Sequence, residues 1–171
     1  MELERSSLQN VRNIFIFCCY TGLAYVDVKS PKRSNVIIGT DGNPWLSLCR
    51  EKSDVPVKIP LLPKALSIME RYDTYDEELL LPVCSNQKMN KYLKEIAAKC
   101  EIDLKVTCHI ARHTFATTVS LSNGVPIATV SKLLGHSKIS TTQIYAKVLE
   151  KKVGEDMKAL RSKLDLLENA Q

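Results

Sequence analysis

Residues 109–145 read HIARHTFATTVSLSNGVPIATVSKLLGHSKISTTQIY, a stretch that combines helix boundaries with side chains suited to phosphate chemistry. His109 and Arg112 are three residues apart, so they share one face of a predicted helix. His136 follows a glycine that ends a helix, and Tyr145 lies beyond one further turn. The spacing predicts that four groups able to bind, orient and attack a phosphodiester converge.

Residues with known positional preferences mark the helix boundaries around these groups. Thr107 is the predicted N-cap of the helix that carries His109 and Arg112, and Asn123-Gly124 ends that helix. The next helix starts at Pro126 and ends at Gly135. Ser140 and Gln143 form a predicted capping box that opens the helix of Tyr145.

Upstream, the pattern predicts a buried helix over residues 8–23, ending at Thr21-Gly22, and then a short amphipathic piece, Tyr25 to Val28. Further elements follow in chain order: strands over 35–38, 45–49 and 55–61, and helices over 63–71 and 86–100. The predicted fold is mainly α with a small antiparallel β-sheet (α+β).

The chain has 171 residues, of which 44% are hydrophobic and 25% charged, as expected for one well-buried domain. Its net charge of +5 mildly favours an anionic partner. The longest apolar run, Ile14 to Tyr20, is too short to cross a bilayer, and no signal peptide precedes it. We expect a cytoplasmic protein with no membrane partner.

Six cysteines occur without a CxxC pair, which argues against a zinc or disulfide framework. A zinc site built on Cys108, His109 and His113 lacks a second close pair of ligands. Reduced, mostly buried thiols are therefore predicted, and no metal.

Residues 150–171 carry an apolar stripe on an otherwise charged helix: Val153, Met157, Leu160, Leu164 and Leu167. Two interpretations stay open. The helix packs on its own core, or it docks on a neighbouring subunit.

The motifs HIARHTFAT and LLGHSKISTTQIYAKV resemble the catalytic half of the tyrosine recombinases, the family of phage and mobile-element integrases, and the resemblance runs from about residue 11 to 148. It implies a single catalytic domain over residues 1–171, with a core of about residues 8–149. In this family an amino-terminal domain closes a clamp around DNA, and we expect this chain to be an isolated catalytic domain without it.

The resemblance implies a role for each matching residue. Tyr145 is the nucleophile and forms a 3′-phosphotyrosine, which requires help because the pKa of tyrosine is roughly 10. Arg112 binds the phosphate through its planar fork, and His109 and His136 bind the phosphate or shuttle the proton.

The remaining implied roles belong to groups upstream and to surface lysines. Lys52 in the strand turn is the general acid for the departing 5′ oxygen, and Asp27 supports the site without touching the substrate. Lys132, Lys138 and Lys147 are candidate phosphate contacts, although ordinary solvated lysines fit equally well.

The first motif departs from the family, because CYTGLAYVDV carries Ala24 where a phosphate-binding arginine is usual. Loss of such a donor costs on the order of a hundredfold in rate. Arg50 is the preferred replacement, since in a strand that continues to Lys52 the two side chains share one face. Lys29 and Arg33 are weaker candidates.

The resemblance also implies double-stranded DNA as partner, a homotetramer on DNA in the full-length protein, accessory DNA-bending proteins as optional partners, a bacterial cell with nucleoid association when bound, and no cofactor. Integration or excision of a mobile element is the expected role. Three alternatives remain: a DNA-binding relic without catalysis, a type IB topoisomerase-like enzyme, and a helical interaction module.

Overall fold

The computed structural model describes residues 6–76 and 78–145, together with isolated positions at 154, 157, 158, 160–162 and 165. Lys147 and most of the predicted C-terminal stripe, including Val153, Leu164 and Leu167, lie outside the described residues. The two interpretations of that segment therefore stay predictions.

The first helix, α1 (Ser6–Thr21), runs through the main core. Its apolar face buries Ile14 and Phe17 completely, and full burial of each such side chain contributes roughly 1.5–3 kcal/mol. The helix ends at Gly22, which takes the left-handed conformation with φ of +67°. A Cβ at Gly22 would lie 2.5 Å from Cδ1 of Phe115, so glycine is needed for close packing as well as for the turn.

The short helix α2 (Tyr25–Val28) leads into a three-stranded antiparallel sheet of order β1-β2-β3. Its strands are β1 (Val36–Ile38), β2 (Pro44–Cys49) and β3 (Pro56–Pro60). Leu46 pairs with Ile59 across β2 and β3, and both are fully buried. The predicted strands are confirmed to within one residue at each end.

Two helices close the first half: α3 (Pro63–Met69), which continues as a 3-10 turn over Glu70–Tyr72, and α4 (Asn86–Lys99). Both agree closely with the predicted ranges. The hydroxyl of Ser85 accepts the Lys88 N–H at 3.4 Å and so caps α4.

The second half contains α5 (Cys108–Thr114), a π-helical segment (Phe115–Ser120), a 3-10 turn (Leu121–Asn123), α6 (Ile127–Leu134) and α7 (Ser140–Gln143). Gly124 and Gly135 end the helical segments in left-handed conformations, as predicted. Pro126 stands immediately before the first residue of α6.

Two predicted caps are wrong. Thr107 occupies the N-cap position of α5, but its side chain makes no capping bond, and the Cys108 N–H instead donates to Asn90 Oδ1 at 3.3 Å. Ser140 is the first residue of α7, not its cap. The N–H groups of Thr141 and Thr142 already donate to the carbonyls of Lys138 and Ile139, so the capping box has no role there.

The prediction that Tyr145 lies inside a helix is also wrong for the described residues, because α7 ends at Gln143 and Tyr145 follows in a turn. Tyr145 belongs to a second apolar cluster with Phe115, Ala116, Val130 and Leu134. The main cluster lies between α1, the sheet and α3 to α5. The predicted fold class, mainly α with a small antiparallel sheet, is confirmed.

The cysteines are free thiols, but they are less buried than predicted. Cys18, Cys19 and Cys108 are buried, Cys84 is half-buried, and Cys49 and Cys100 are exposed. Within the described part of the chain, no helix has the length and apolar character needed to span a membrane.

Candidate active site

Arg112, on α5, is held by two backbone carbonyls from distant parts of the chain. Its Nη1 donates to the Gly22 carbonyl at 2.7 Å, and its Nη2 donates to the Leu134 carbonyl at 2.6 Å. Burial, together with the positive charge of Arg50, lowers the pKa of Arg112 to about 10. The guanidinium therefore stays positively charged at neutral pH in a fixed orientation.

Arg50 approaches the same carbonyl from the other side. Its Nη1 lies 2.9 Å from Asp27 Oδ2 and 3.5 Å from the Gly22 oxygen, and its Nη2 donates to the Leu133 carbonyl at 2.8 Å. The Arg50 residue is only 4% exposed. Burial lowers its pKa, while Asp27 opposes that shift.

Arg50 does not reach this position in the predicted way, because β2 ends at Cys49 and the strand does not continue to Lys52. Instead the chain turns at Arg50, whose N–H donates to the Val55 carbonyl at 2.9 Å. Arg50 and Lys52 nevertheless both line one cleft of about 330 Å³. The two residues converge as predicted, but through a turn.

Asp27 joins the elements behind this cleft. Its Oδ2 accepts from Arg50 and from the Ala24 N–H, and its Oδ1 accepts the Glu51 N–H at 2.9 Å. The predicted supporting position thus contacts Arg50 directly. Asp27 compensates a buried positive charge that would otherwise be strongly unfavourable.

The C-terminal end of α6 holds both arginines, because its consecutive residues Leu133 and Leu134 each give a carbonyl to one of them. Gly135, which follows, has φ of +69°, and a Cβ there would lie 2.8 Å from Arg50 Cγ and 2.9 Å from Val57 Cγ1. The LLGH motif therefore needs glycine both for the helix end and for the space that Arg50 fills.

His136 lies next to Arg112 at the rim of the cleft. Its Nε2 is 3.1 Å from Arg112 Nη2, and its Nδ1 is 2.8 Å from Thr142 Oγ1. Burial lowers the pKa of His136 below its ordinary value, with smaller contributions from the charges of Arg112 and Arg50.

The ring of Tyr145 packs against two histidines. It lies parallel to the ring of His136, with centroids 6.4 Å apart, and meets the ring of His113 edge-on at 4.6 Å. Burial and the charge of Arg50 lower the pKa of Arg112, and Tyr145 acts weakly against that shift. The predicted nucleophile thus lies beside two histidines of the site, although it is not among the residues that line the cleft.

Lys52 and His109 complete the lining of the cleft, and both also line a neighbouring depression next to Ala24. Lys52 is exposed in the turn between β2 and β3. His109 is exposed on α5, and its ring lies 5.7 Å from that of His113. The structure therefore brings together seven predicted positions around the cleft: Ala24, Asp27, Arg50, Lys52, His109, Arg112 and His136.

Other predicted cations lie elsewhere. Arg33 pairs with Asp73 at 2.7 Å and donates to the Tyr72 carbonyl, so it is wrong as a candidate for the phosphate clamp. Lys29, Lys132 and Lys138 are exposed but are not among the residues that line the cleft.

Sequence reasoning missed two contacts of the site, those of His113 and Thr142. Both residues belong to motifs that carry other predicted groups, HxxRH and TTxxY. No spacing rule, however, indicates that the His113 ring would meet the ring of Tyr145, or that the Thr142 hydroxyl would lie at hydrogen-bond distance from His136.

The chain belongs to the phage integrase family, whose sequence model matches residues 17–152. The resemblance to that family predicted that arginine, histidine, lysine and tyrosine converge, and the structure places the first three around one cleft and the tyrosine beside His136. The match covers both motifs and the whole sheet.

Among individual proteins, the chain is similar to the tyrosine recombinase XerC of Listeria monocytogenes, with 36% identity over 91 residues, which cover 51% of this chain and 30% of the relative. It is also similar to the tyrosine recombinase XerA of Saccharolobus solfataricus, with 49% identity over 71 residues, 41% of this chain and 23% of the relative. The chain thus spans less than half the length of these relatives.

The fold is similar to that of the XerH site-specific recombinase bound to palindromic difH substrate, in a post-cleavage complex. The TM-score is 0.71 at 17% identity, covering 92% of this chain and 47% of the other. At this identity the likeness establishes the fold alone.

Proposed function

We propose that this chain is the catalytic domain of a site-specific DNA recombinase that cleaves and rejoins strands through a 3′-phosphotyrosine. The observation that carries the proposal is the position of His136 between Arg112 and Tyr145. Arg112 Nη2 is 3.1 Å from His136 Nε2, and the ring of Tyr145 lies parallel to that of His136, with centroids 6.4 Å apart. A scissile phosphate seated on Arg112 would therefore be next to the nucleophile.

In the proposed cleavage step, the Tyr145 oxygen forms a bond to phosphorus while the bond from phosphorus to the 5′ oxygen breaks. The phenolic proton passes to a histidine of the site, and the departing 5′ oxygen takes a proton from Lys52. Rejoining is the reverse reaction. The phosphotyrosine conserves the energy of the broken phosphodiester, so the proposed rejoining step requires no metal and no cofactor as an energy source.

Arg50 is proposed as the second cation behind the phosphate, in place of the arginine missing at Ala24. Its support is position, since it shares the Gly22 carbonyl with Arg112 and lines the same cleft as Ala24. Its Nη groups are already bonded to Asp27 and Leu133, and among the described residues its buried Nε has no hydrogen-bond partner. We therefore assign it mainly an electrostatic role, which acts without direct contact.

The partner proposed for the domain is double-stranded DNA. The integrase of transposon Tn1549 in complex with transposon right end DNA has a similar fold, with a TM-score of 0.63 at 15% identity over 90% of this chain and 59% of the other. Assembly as a homotetramer, accessory DNA-bending proteins, and integration or excision of a mobile element are further parts of the proposal.

Nicked suicide duplexes with a randomised core test the chemistry, because cleavage of such a duplex traps the covalent adduct. Recovery of a DNA-linked peptide containing Tyr145, absent from Tyr145→Phe, supports the proposal. Absence of the adduct with retained salt-sensitive DNA binding supports the relic instead. Supercoil relaxation without a required sequence supports the topoisomerase-like alternative.

The role of Arg50 has its own test in the same assay. Arg50→Ala, or the charge-free pair Arg50→Met with Asp27→Asn if the first variant unfolds, is expected to slow adduct formation by about a hundredfold. Unchanged adduct formation in a folded variant would show that Arg50 does not replace the missing arginine.

A further inference from the structure

Thr142 connects the two rings of the site. It is completely buried in α7, its hydroxyl lies 2.8 Å from His136 Nδ1, and its carbonyl accepts the Tyr145 N–H at 3.0 Å. The rings of His136 and Tyr145 are parallel to within 9°. One residue therefore fixes the imidazole through its side chain and the phenol through its backbone.

The partners of His136 determine which ring nitrogen carries the proton. A guanidinium has five N–H donors and no acceptor, so Nε2 of His136, at 3.1 Å from Arg112 Nη2, must be the acceptor in that contact. A neutral imidazole has one N–H, which then lies on Nδ1. Among the described residues, the Thr142 hydroxyl is the acceptor found at hydrogen-bond distance from that N–H.

The charges that face His136 agree with a neutral ring. Arg112 of α5 and Arg50 beyond β2 both disfavour an added positive charge, and burial acts in the same direction. From α7 and the following turn, the ring faces the uncharged groups of Thr142 and Tyr145. Protonation of Nε2 in the unbound protein would also place two N–H donors against each other.

We propose that Thr142 is a positioning residue that holds His136 as the neutral Nδ1–H tautomer, with the Nε2 lone pair directed toward Arg112 and the cleft. The inference rests on the proposed function for its consequence, since it makes His136 a proton acceptor when Tyr145 attacks. A tautomer held by a buried hydroxyl needs no reorganisation at that moment. The same hydroxyl also keeps the imidazole parallel to the phenol.

Nitrogen-15 NMR of the uniformly labelled, full chain without DNA tests the tautomer directly, because the coupling pattern of ring protons to the two nitrogens distinguishes Nδ1–H from Nε2–H. The wild type is expected to show Nδ1–H at pH 7.5. Thr142→Val keeps the shape but leaves the Nδ1–H without its acceptor, a cost that opposes the preference set by Arg112, so the variant is expected to lose that pattern. Thr142→Ser is expected to keep it. Thr40→Val makes the same change in the exposed hairpin between β1 and β2 and serves as control.

A wild-type spectrum with the proton on Nε2, or an unchanged Nδ1–H pattern in Thr142→Val, would overturn the inference. If Thr142→Val does not fold, the wild-type spectrum and Thr142→Ser still decide the question. Because this measurement uses no DNA, it succeeds or fails independently of the proposed cleavage.

A kinetic measurement then tests the consequence. In the suicide-substrate assay, Thr142→Val is expected to slow adduct formation about tenfold or more, with recovery in Thr142→Ser. A tautomer that changes without any effect on the rate would confine Thr142 to a structural role and overturn the catalytic part of the inference.

Discussion

Arg50 and Arg112 donate to one acceptor, the carbonyl oxygen of Gly22, at 3.5 and 2.7 Å. The guanidinium groups of buried Arg50 and half-buried Arg112 repel each other, and after the larger effect of burial that repulsion contributes to the lowered pKa of Arg112. Asp27 supplies the compensating negative charge from the far side of Arg50. The site thus concentrates positive charge where a phosphate is proposed to bind.

Removal of Arg50 alone should destabilise the fold strongly. Arg50→Met leaves the Asp27 carboxylate buried without its ion pair, a change that costs about 3–5 kcal/mol in unfolding free energy. The double variant Arg50→Met with Asp27→Asn should recover much of this loss. Urea unfolding measures both.

The exposed ion pair of Arg33 with Asp73 provides the control. Asp73→Ala should cost less than about 1 kcal/mol, since exposed pairs contribute little. Equal losses in Asp73→Ala and Arg50→Met would contradict the prediction.

Gly135→Ala should disturb the site more than an equivalent change elsewhere. Its Cβ would approach Arg50 Cγ to 2.8 Å and Val57 Cγ1 to 2.9 Å, so Arg50 must shift. Gly124 is the matched control, because its φ of +82° is similarly left-handed but a Cβ there meets no atom within 4 Å.

Both glycine variants pay a backbone cost of roughly 1–2 kcal/mol, and Gly135→Ala should add a steric cost of about 1–3 kcal/mol. Unfolding free energies of the two variants measure the difference. A difference of zero would mean that Arg50 relaxes without cost.

The lowered pKa of His136 gives a stability dependence with a defined sign. Folding disfavours protonation of His136, so below its ordinary pKa of 6.5 the unfolded chain binds more protons than the folded chain. The unfolding free energy should therefore fall as the pH falls from 6.5 through the lower folded pKa. His136→Gln removes this titrating group but leaves His109 and His113 in place, so the unfolding free energy of the variant should fall less over the same pH range.

NMR titration of the His136 ring in the unbound protein measures the folded pKa directly. A midpoint at or above 6.5 would contradict the assigned effects of burial and of the neighbouring arginines.

Lys52, if it protonates the departing 5′ oxygen, should become dispensable when that atom is sulfur. A thiolate leaves without a proton because its conjugate acid is far stronger than an alcohol. Lys52→Ala should slow adduct formation by about 10²–10⁴-fold on the normal duplex and much less on a 5′-bridging phosphorothiolate. Equal defects on both substrates would exclude this role.

Thiol labelling should separate the cysteines by environment. Cys49 and Cys100 are exposed and should react rapidly with a maleimide in the native protein. Burial raises the pKa of Cys108 to about 11 and that of Cys18 well above its ordinary value, so both should react only on unfolding. Mass spectrometry of labelled peptides measures the order, and rapid labelling of Cys18 would contradict the described packing.

The sequence predicted the elements well because their signals are local. Helix-ending glycines at positions 22, 124 and 135 and the alternating burial along β3 depend on neighbours in the chain. Thr107 occupies the predicted N-cap position but its side chain makes no capping bond, whereas Asn90, on another helix, accepts the N–H of Cys108. That contact depends on tertiary packing, which local patterns do not contain.

The same distinction between local signals and tertiary contacts applies to the site. The motifs identified Arg112, His136 and Tyr145, but the burial of Arg50 depends on a carboxylate 23 residues away and a carbonyl 83 residues away. The role of Thr142 could be inferred only from two observed distances, from His136 Nδ1 to Thr142 Oγ1 and from His136 Nε2 to Arg112 Nη2. The sequence therefore indicated candidate residues that the structure brings together, whereas the hydrogen-bond partner of each polar group could not be predicted from it.

The hydrogen bonds that hold the two arginines also affect when the site can exist during folding. Arg112 reaches Gly22 across 90 residues, and Arg50 reaches Leu133 across 83. Contacts so distant in sequence form late, after the loop-closure entropy has been overcome. A nascent or partly unfolded chain would carry the tyrosine without the assembled arginines, so the proposed strand cleavage would be restricted to molecules that have finished folding.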